Sequence, residues 1–226
     1  MKVIDLTFPI EEGMPTFPAH WHPLVEISQL GRFGFEDRET RKLVLGTHTG
    51  THIDAPRHFI PSGQTLDEIP LELLIGWAVK VDLRELEFGS EITVDHLVDR
   101  CKGLNIKRLI LQFGGDRNYG NKKYYEDHSW LTIEAAQWLV SQGCKLLGYD
   151  MASPDNPINV HGSKEDSPIH KILLGNGVVL LEYLTQLDCI SSSNFFLVTA
   201  PMKINGADGS PVRAFAIEGI RRSEDD

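Results

Sequence analysis

Short stretches of apolar and β-branched residues recur along the chain, and most are bounded by glycine, proline or aspartate. Stretches of this kind are typical of β-strands in a folded protein. They predict nine strands, at residues 3–8, 24–28, 42–47, 78–83, 108–113, 145–150, 178–184, 195–200 and 213–218.

Three helices are predicted between these strands, each from a capping residue followed by apolar residues of helical period. The capping residues and their helices are Thr93 with residues 94–101, Thr132 with 133–142 and Ser167 with 168–175. Because helices are fewer than strands, a fully alternating barrel is excluded and a mixed α/β fold is predicted. The chain shows no repeat, low-complexity tract or linker, so residues 1–226 are expected to form a single domain.

Composition narrows the class of protein. The 226 residues are 41% hydrophobic and 24% charged, which excludes disordered, collagen-like and disulfide-scaffold proteins. The formal net charge is −10 and no basic stripe is present, so no nucleic-acid partner is expected. No apolar run approaches the roughly 20 residues of a membrane span, and no signal-peptide stretch follows Met1. Three widely spaced cysteines fit reduced thiols, so a cytoplasmic protein without a membrane partner is expected.

Candidate chemistry is concentrated at residues 46–59, where His48, His52, Asp54 and His58 occupy even positions. On a helix, Asp54 would point about 160° away from His52. In a straight strand, His48 and His52 would be about 13 Å apart. Ligands of one metal ion must approach it to about 2.0–2.2 Å, so neither regular element gathers all four side chains. We therefore predict a strand that ends near Thr47, followed by an irregular loop, bent at Gly50, around an ion.

The residues of this segment carry a family resemblance. The string HTGTHIDAPRHF at residues 48–59 resembles the signature HxGTHxDxPxHF of the metal-dependent cyclase family. That family includes bacterial kynurenine formamidases and isatin hydrolases. Three further blocks are similar to family motifs: GYDMASPD at 148–155, HKILLG at 170–175 followed by Glu182, and PMKINGADGSPVR at 201–213.

The resemblance implies a fold and a set of site residues. The fold would be a single mixed β-sheet with a barrel-like core and flanking helices, of the swivelling β/β/α type. The residues that match the primary metal ligands are His48, His52 and Asp54, and those that match ligands of a second ion, with Asp54 bridging, are His170 and Glu182. His58 matches the residue with the acid/base role. Nitrogen and carboxylate ligands without thiolate fit Zn²⁺ or Mn²⁺, and one or two ions are expected.

Two further expectations concern the substrate and the assembly. Aromatic residues near the signature, Phe17, Trp21 and Phe59, would form an apolar wall for an aromatic substrate. Three further histidines depart from the family pattern, His20, His22 and His161, and are either substrate contacts or surface residues, with the surface interpretation favoured. The resemblance also implies a homodimer or higher homo-oligomer, in which residues 33–35 could cross between subunits.

These observations predict a metal-dependent hydrolase in which activated water attacks an amide or formamide carbonyl. By resemblance this is an arylformamidase of tryptophan catabolism, which converts N-formylkynurenine to kynurenine and formate. A ring-opening hydrolase of a cyclic amide or lactone is the nearest alternative. Two histidines and one carboxylate could also hold Fe(II) in an oxygenase. A metal-binding protein without catalysis is the last alternative.

Overall fold

The computed structural model of the chain describes residues 1–159 and 161–221, which contain twelve strands and five α-helices. The strands are β1 (Lys2–Asp5), β2 (Glu26–Gly31), β3 (Thr40–Val44), β4 (His52–Asp54), β5 (Ile75–Asp82), β6 (Glu91–Ile92), β7 (Arg108–Gln112), β8 (Trp130–Leu131), β9 (Leu146–Tyr149), β10 (Val179–Glu182), β11 (Asn194–Pro201) and β12 (Gly209–Glu218). The helices are α1 (Leu71–Leu74), α2 (Val94–Cys101), α3 (Lys122–Glu126), α4 (Ile133–Ser141) and α5 (Pro168–Gly175). Each of the nine predicted strands overlaps an observed one.

Seven of these strands close into a barrel. In the described part of the chain the order around the ring is β12, β11, β5, β7, β9, β10 and β4, and β4 pairs with β12 to close it. The strands β5, β7, β9 and β10 run parallel, whereas β4, β11 and β12 pair in antiparallel fashion. The outer strand β1 pairs with the last part of β12. The predicted mixed α/β fold with a barrel-like core is thus confirmed.

The barrel has two apolar cores, one on each face of its strands, because successive side chains of a strand point to opposite faces. Leu109 and Leu111 of β7 pack outward against the helices, while Ile110 between them packs into the barrel interior. The helices α2, α4 and α5 contribute Leu97, Leu139 and other residues to the outer core. The parallel strands are buried on both faces for this reason, which explains their unbroken apolar sequences.

The predicted helices are observed, with one correction at α5. Thr132 Oγ1 accepts a hydrogen bond from the Ala135 N–H and so caps α4. Ser167 does precede α5, but its side chain makes no capping bond and its backbone is left-handed, with φ 47°. Asp155 takes over this function, because its two carboxylate oxygens accept the N–H groups of Ile169 and His170. A distant carboxylate therefore fixes the start of α5.

A two-stranded hairpin of β2 and β3 forms a sheet separate from the barrel. Its exposed apolar residues are Leu30, Phe33, Phe35 and Leu43. Within the described residues, no helix has both the length and the apolar character to cross a membrane.

The structure also corrects the prediction for residues 42–54. The predicted strand at 42–47 corresponds to β3, which ends at Val44 rather than near Thr47. His52 and Asp54 lie on β4, a three-residue strand that the sequence pattern does not predict, rather than on an irregular loop. The predicted bend is present between them and His48, since Gly50 has a left-handed φ of 61°.

Candidate metal centre

The short strand β4 places two of the candidate ligands side by side. His52 and Asp54 are two residues apart, so their side chains share one face of the sheet. On the neighbouring strand β10, Glu182 lies directly opposite His52 in the antiparallel register. His52 Nε2 is 3.1 Å from Asp54 Oδ1 and 3.4 Å from Glu182 Oε2. All three residues are buried, so the barrel wall itself assembles this part of the site.

The turn around Gly50 brings His48 back to the same carboxylate. His48 Nδ1 lies 2.7 Å from Asp54 Oδ1, and the two imidazole rings of His48 and His52 meet edge to face with centroids 5.0 Å apart. The Gly50 carbonyl accepts a hydrogen bond from His52 Nδ1 at 2.7 Å, which leaves His52 Nε2 directed at the carboxylates. The turn at Gly50 therefore brings His48, His52 and Asp54 together, as the spacing of these residues in the sequence predicts.

His170 and Glu182 complete the cluster from α5 and β10. His170 Nε2 is 3.5 Å from Asp54 Oδ2 and 3.3 Å from Glu182 Oε1. The other nitrogen of His170, Nδ1, lies 2.5 Å from Asp155 Oδ2, and the Tyr149 hydroxyl donates to Glu182 Oε1 at 2.5 Å. The other four residues matched to ligands by resemblance, His48, His52, His170 and Glu182, therefore surround the Asp54 carboxylate.

His58 lies at the edge of this cluster with a partner that sequence reasoning missed. Its ring stacks on that of His48 with centroids 3.8 Å apart, and its Nδ1 is 3.2 Å from Asp208 Oδ2. The same Asp208 oxygen lies 2.9 Å from His48 Nε2. The motif at 201–213 contains Asp208, but without structure that segment indicates only a turn. Asp155 and Tyr149, which orient His170 and Glu182, were missed in the same way.

The electrostatics of the cluster favour a cation. Burial alone would lower the pKa of His48, but the carboxylates of Asp54 and Asp208 raise it to about 10. Burial would raise the pKa of Asp54, yet His48 and His58 hold it well below its usual range. Hydrogen bonds from the same two histidines also lower the pKa of Asp208. Both carboxyl groups are therefore ionised at neutral pH, inside a partly dry site.

The donor set fits a divalent metal ion. Asp54 Oδ2 is buried without a hydrogen-bond partner, which is unusual for a carboxylate oxygen inside a protein. Two groups of potential ligand atoms, each within 4.8 Å of one another, share Asp54: one adds His48 and His58, the other His52 and Glu182. Ligands bound to one ion at about 2.0–2.2 Å lie about 3 Å apart. The contacts of His48 and His52 with Asp54, and of His52 with Glu182, are 2.7, 3.1 and 3.4 Å. Imidazole and carboxylate ligands of this kind suit Zn²⁺ or Mn²⁺.

A cavity of about 280 Å³ opens next to the cluster. Phe17, Phe59 and Tyr125 line it. Trp21 also lines it but is 49% exposed and packs edge to face against His161, at 4.9 Å between ring centroids. The cavity therefore has an apolar aromatic side next to the polar cluster.

The additional histidines have different environments. His22 is half-buried in the cavity wall, 6.2 Å from the His48 ring, so the surface interpretation is wrong for this residue. Burial and the neighbouring imidazoles of His48 and His52 lower the pKa of His22 to about 4, so it is neutral at pH 7. His161 is exposed at the cavity mouth, and His20 is exposed outside it, in agreement with the surface interpretation.

The fold is a closed mixed barrel with a buried cluster of histidines and carboxylates that could hold a metal ion. Comparison with known families shows to which family such a chain belongs. Residues 4–156 match the family model Cyclase, described as "Putative cyclase". The match spans more than half of the chain, so the chain belongs to this family.

Curated relatives share nearly the whole length. A kynurenine formamidase of Bacillus thuringiensis is 28% identical over 214 residues, which cover 93% of this chain and 95% of the relative. A kynurenine formamidase of Geobacillus thermodenitrificans is 29% identical, with the same coverage.

Solved structures show the same fold. An isatin hydrolase bound to the product analogue thioisatinate superposes with a TM-score of 0.84 at 23% identity, covering 95% of this chain and 91% of that one. A structure described as a potential metal-dependent hydrolase with cyclase activity gives a TM-score of 0.70 at 27% identity, covering 95% and 96%.

Proposed function

We propose that the protein is a metal-dependent hydrolase of non-peptide C–N bonds, an arylformamidase that converts N-formylkynurenine to kynurenine and formate. The observation that carries the proposal is the orphaned Asp54 Oδ2, surrounded by imidazoles and a second carboxylate beside an aromatic-lined cavity. The kynurenine formamidases that resemble the chain over nearly its full length support the choice of substrate.

The ligands in this proposal are His48, His52 and Asp54, with His170 and Glu182 holding a second ion if two are bound. The metal would be Zn²⁺ or Mn²⁺. When bound, such an ion lowers the pKa of a coordinated water from about 15.7 toward 7 and polarises a carbonyl oxygen. Asp155 and Tyr149 would orient His170 and Glu182, since partners behind the ligands fix their direction and charge.

His58 moves the proton in this mechanism. The Asp208 carboxylate contacts Nδ1 of His58, which favours the tautomer with its proton on Nδ1. The Nε2 atom is then the one that accepts a proton from the attacking water and delivers it to the leaving nitrogen.

The aromatic side of the cavity binds and orients the substrate. The rings of Phe17 and Tyr125 meet edge to face with centroids 6.3 Å apart. The ring of Phe59 packs against that of His170 with centroids 4.7 Å apart. An aromatic amide placed between them would present its carbonyl carbon to the polar cluster. A substrate bound there would displace water from the polar cluster, which would strengthen the electrostatic interactions inside the site.

Ring opening of a cyclic amide is the second candidate. The specific observation in its favour is the fold similarity to isatin hydrolase, at a TM-score of 0.84. The two reactions require the same centre and differ in whether the scissile bond lies in a ring.

The test is a side-by-side assay of N-formylkynurenine and isatin after reconstitution with Zn²⁺ or Mn²⁺ and after chelation. We expect hydrolysis of the formamide that depends on the metal and is independent of oxygen. Faster turnover of isatin would replace the first candidate by the second. If the metal-loaded enzyme hydrolyses neither substrate, the hydrolase proposal is overturned. Full activity in His58→Ala would remove His58 from the chemistry.

For the assembly, we propose a homodimer or higher homo-oligomer. The β2–β3 hairpin exposes Phe33 and Phe35, which are 74% and 75% exposed in the single chain. Such side chains are commonly covered in an assembly. Light scattering tests this, and a monomer at micromolar concentration would contradict it.

A further inference from the structure

Tyr183 combines a strained backbone with an unsatisfied hydroxyl in the wall of the candidate site. It follows the candidate ligand Glu182 in the chain, and it lines the cavity. Its φ is 57°, in the left-handed region that bulky residues rarely adopt. The residue is 2% exposed, and its hydroxyl oxygen has no hydrogen-bond partner.

The backbone of Tyr183 is held in this conformation from both sides. Its N–H donates to the Met151 carbonyl at 3.2 Å, and its carbonyl accepts the Thr51 hydroxyl at 2.6 Å. The Thr51 oxygen in turn accepts the N–H of Phe8. A strained conformation that neighbouring groups enforce in this way is characteristic of functional sites. The effect here is to hold the Tyr183 ring beside His52, at 5.5 Å between ring centroids.

Packing explains the ring of Tyr183 but not its hydroxyl. The ring belongs to a small apolar cluster with Tyr124 and Ala152. A phenylalanine would fill the same volume without burying a hydroxyl that lacks a partner, and an unpartnered buried hydroxyl is unfavourable. The Tyr183 hydroxyl is therefore free to hydrogen-bond with a ligand that enters the cavity.

We propose that Tyr183 is a substrate-contacting residue whose hydroxyl donates a hydrogen bond to a carbonyl oxygen of the bound substrate. The inference rests on the proposed hydrolysis of an aromatic amide and adds a determinant of substrate choice to it. Tyr125 also lines the cavity, and its hydroxyl is likewise buried without a partner. A carbonyl oxygen has two lone pairs, so it can accept from both phenols. The favoured substrates are thus aromatic amides with a carbonyl oxygen within reach of this wall.

Tyr124 provides a matched control for the hydroxyl of Tyr183. Its hydroxyl is also buried without a hydrogen-bond partner, and its ring packs against that of Tyr183 at 5.4 Å. Among the described residues that line the cavity, Tyr124 is absent. Removal of its hydroxyl therefore changes the same kind of atom in the same cluster without removing a contact to substrate.

The experiment compares Tyr183→Phe, Tyr124→Phe and the wild type, all metal-loaded, on N-formylkynurenine and on formanilide, which lacks the ketone side chain attached to the ring. We expect Tyr183→Phe to lower kcat/KM about tenfold on N-formylkynurenine, mainly through a higher KM, as loss of one hydrogen bond predicts. An equal loss on formanilide would assign the contact to the formamide oxygen, and a smaller loss would assign it to the ketone. Tyr124→Phe should change kcat/KM less than about twofold. Unchanged kinetics in Tyr183→Phe on both substrates would overturn the proposal.

Two further measurements separate this inference from the proposed function. Thermal unfolding should leave both variants at least as stable as the wild type, since neither hydroxyl has an internal partner and both are buried. A clearly lower Tm for Tyr183→Phe would reveal such a partner and overturn the inference. Titration with kynurenine, which retains the ketone but lacks the formyl group, should give about tenfold weaker binding to Tyr183→Phe when the contact is to the ketone, and unchanged binding when it is to the formamide oxygen. Tighter kynurenine binding to the wild type than to Tyr183→Phe, without hydrolysis of N-formylkynurenine, would reject the proposed function and keep the inference. No binding of either compound to the wild type would overturn both.

Discussion

Two aspartates of this protein are equally buried, each 1% exposed, yet their surroundings are opposite. Asp150 Oδ1 accepts the Phe113 N–H and Oδ2 accepts the Gly114 N–H, both at 2.8 Å. Asp54 Oδ1 lies 2.7 Å from His48 Nδ1, while its Oδ2 has no hydrogen-bond partner. Asp150 is thus satisfied by the backbone, whereas Asp54 has an oxygen directed into a cluster of imidazoles.

The pKa values of the two carboxyl groups move in opposite directions. Burial raises the pKa of Asp150 to about 7, against the hydrogen bonds of Phe113 and Gly114. For Asp54 the effect of burial is exceeded by the interactions with the neighbouring imidazoles of His48 and His58, so its pKa falls well below the usual range. Burial therefore does not distinguish a structural carboxylate from a candidate ligand, since both are buried. The difference is that both oxygens of Asp150 accept hydrogen bonds, whereas Asp54 Oδ2 accepts none.

Replacement of Asp54 should have the largest effect. Asp54→Asn removes the charge at the centre of both potential ligand groups while keeping the size of the side chain. We expect bound metal, measured by elemental analysis, to fall to background and hydrolysis to fall at least about a thousandfold. Stoichiometric metal in this variant would contradict the ligand role.

The same substitution at Asp150 should affect folding rather than metal binding. Asn offers one carbonyl oxygen for two backbone donors, so the N–H of either Phe113 or Gly114 loses its acceptor. We expect Asp150→Asn to lower the free energy of unfolding by about 2–3 kcal/mol in urea titrations. Metal content per folded molecule should remain that of the wild type. A variant of full stability with reduced metal content would reverse the assignment of the two aspartates.

Asp208 should behave as an intermediate case, because it contacts one candidate ligand and the candidate proton carrier. Asp208→Asn retains an oxygen for His58 Nδ1 but removes the negative charge next to His48 and His58. Hydrolysis should fall about 10- to 100-fold, the effect usual for partners behind a metal site. Unchanged kcat and an unchanged pH profile would show that His58 works without it.

The last expected effect, of about 1 kcal/mol per pH unit, is a dependence of stability on pH. Because the folded pKa of Asp150 lies above the unfolded value, the folded chain retains a proton that the unfolded chain releases between about pH 4 and 7. Stability from this group is therefore present at low pH and is lost as pH rises through that window. Asp116 adds to the shift, while Arg84 lies near enough to interact with Asp150.

Comparison of the wild type with Asp150→Asn isolates this contribution, since other titrating groups cancel in the difference. The stability advantage of the wild type should decrease by about 1 kcal/mol per pH unit from pH 4 to 7. A difference that is constant across this range would contradict the raised pKa.

The sequence predicts most of the fold because its signals are local. The strand patterns and the caps at Thr93 and Thr132 depend on neighbouring residues, and the observed elements follow them. The strand β4 escapes prediction because its three residues, His52 to Asp54, have partners on β10 and β12 that are far away in the chain. No local pattern encodes such pairings.

In the candidate site, too, the contacts between residues close in the sequence are predicted and those between distant residues are not. The spacing of His48, His52 and Asp54, with a bend at Gly50, predicts that these side chains meet, and they do. The contact of Asp208 with His58 joins residues 150 positions apart, and no sequence signal other than family resemblance points to it. The unsatisfied hydroxyl of Tyr183 has no sequence signal, because it depends on the packing of the whole cavity wall.

Anomalous diffraction from a crystal of the metal-loaded protein tests the central claim most directly. We predict a peak at the metal edge within about 2.2 Å of Asp54 Oδ2, with imidazole nitrogens from the surrounding histidines at similar distances. A hydrolytically active crystal whose bound metal lies elsewhere, with Asp54 Oδ2 out of contact with it, would contradict the account.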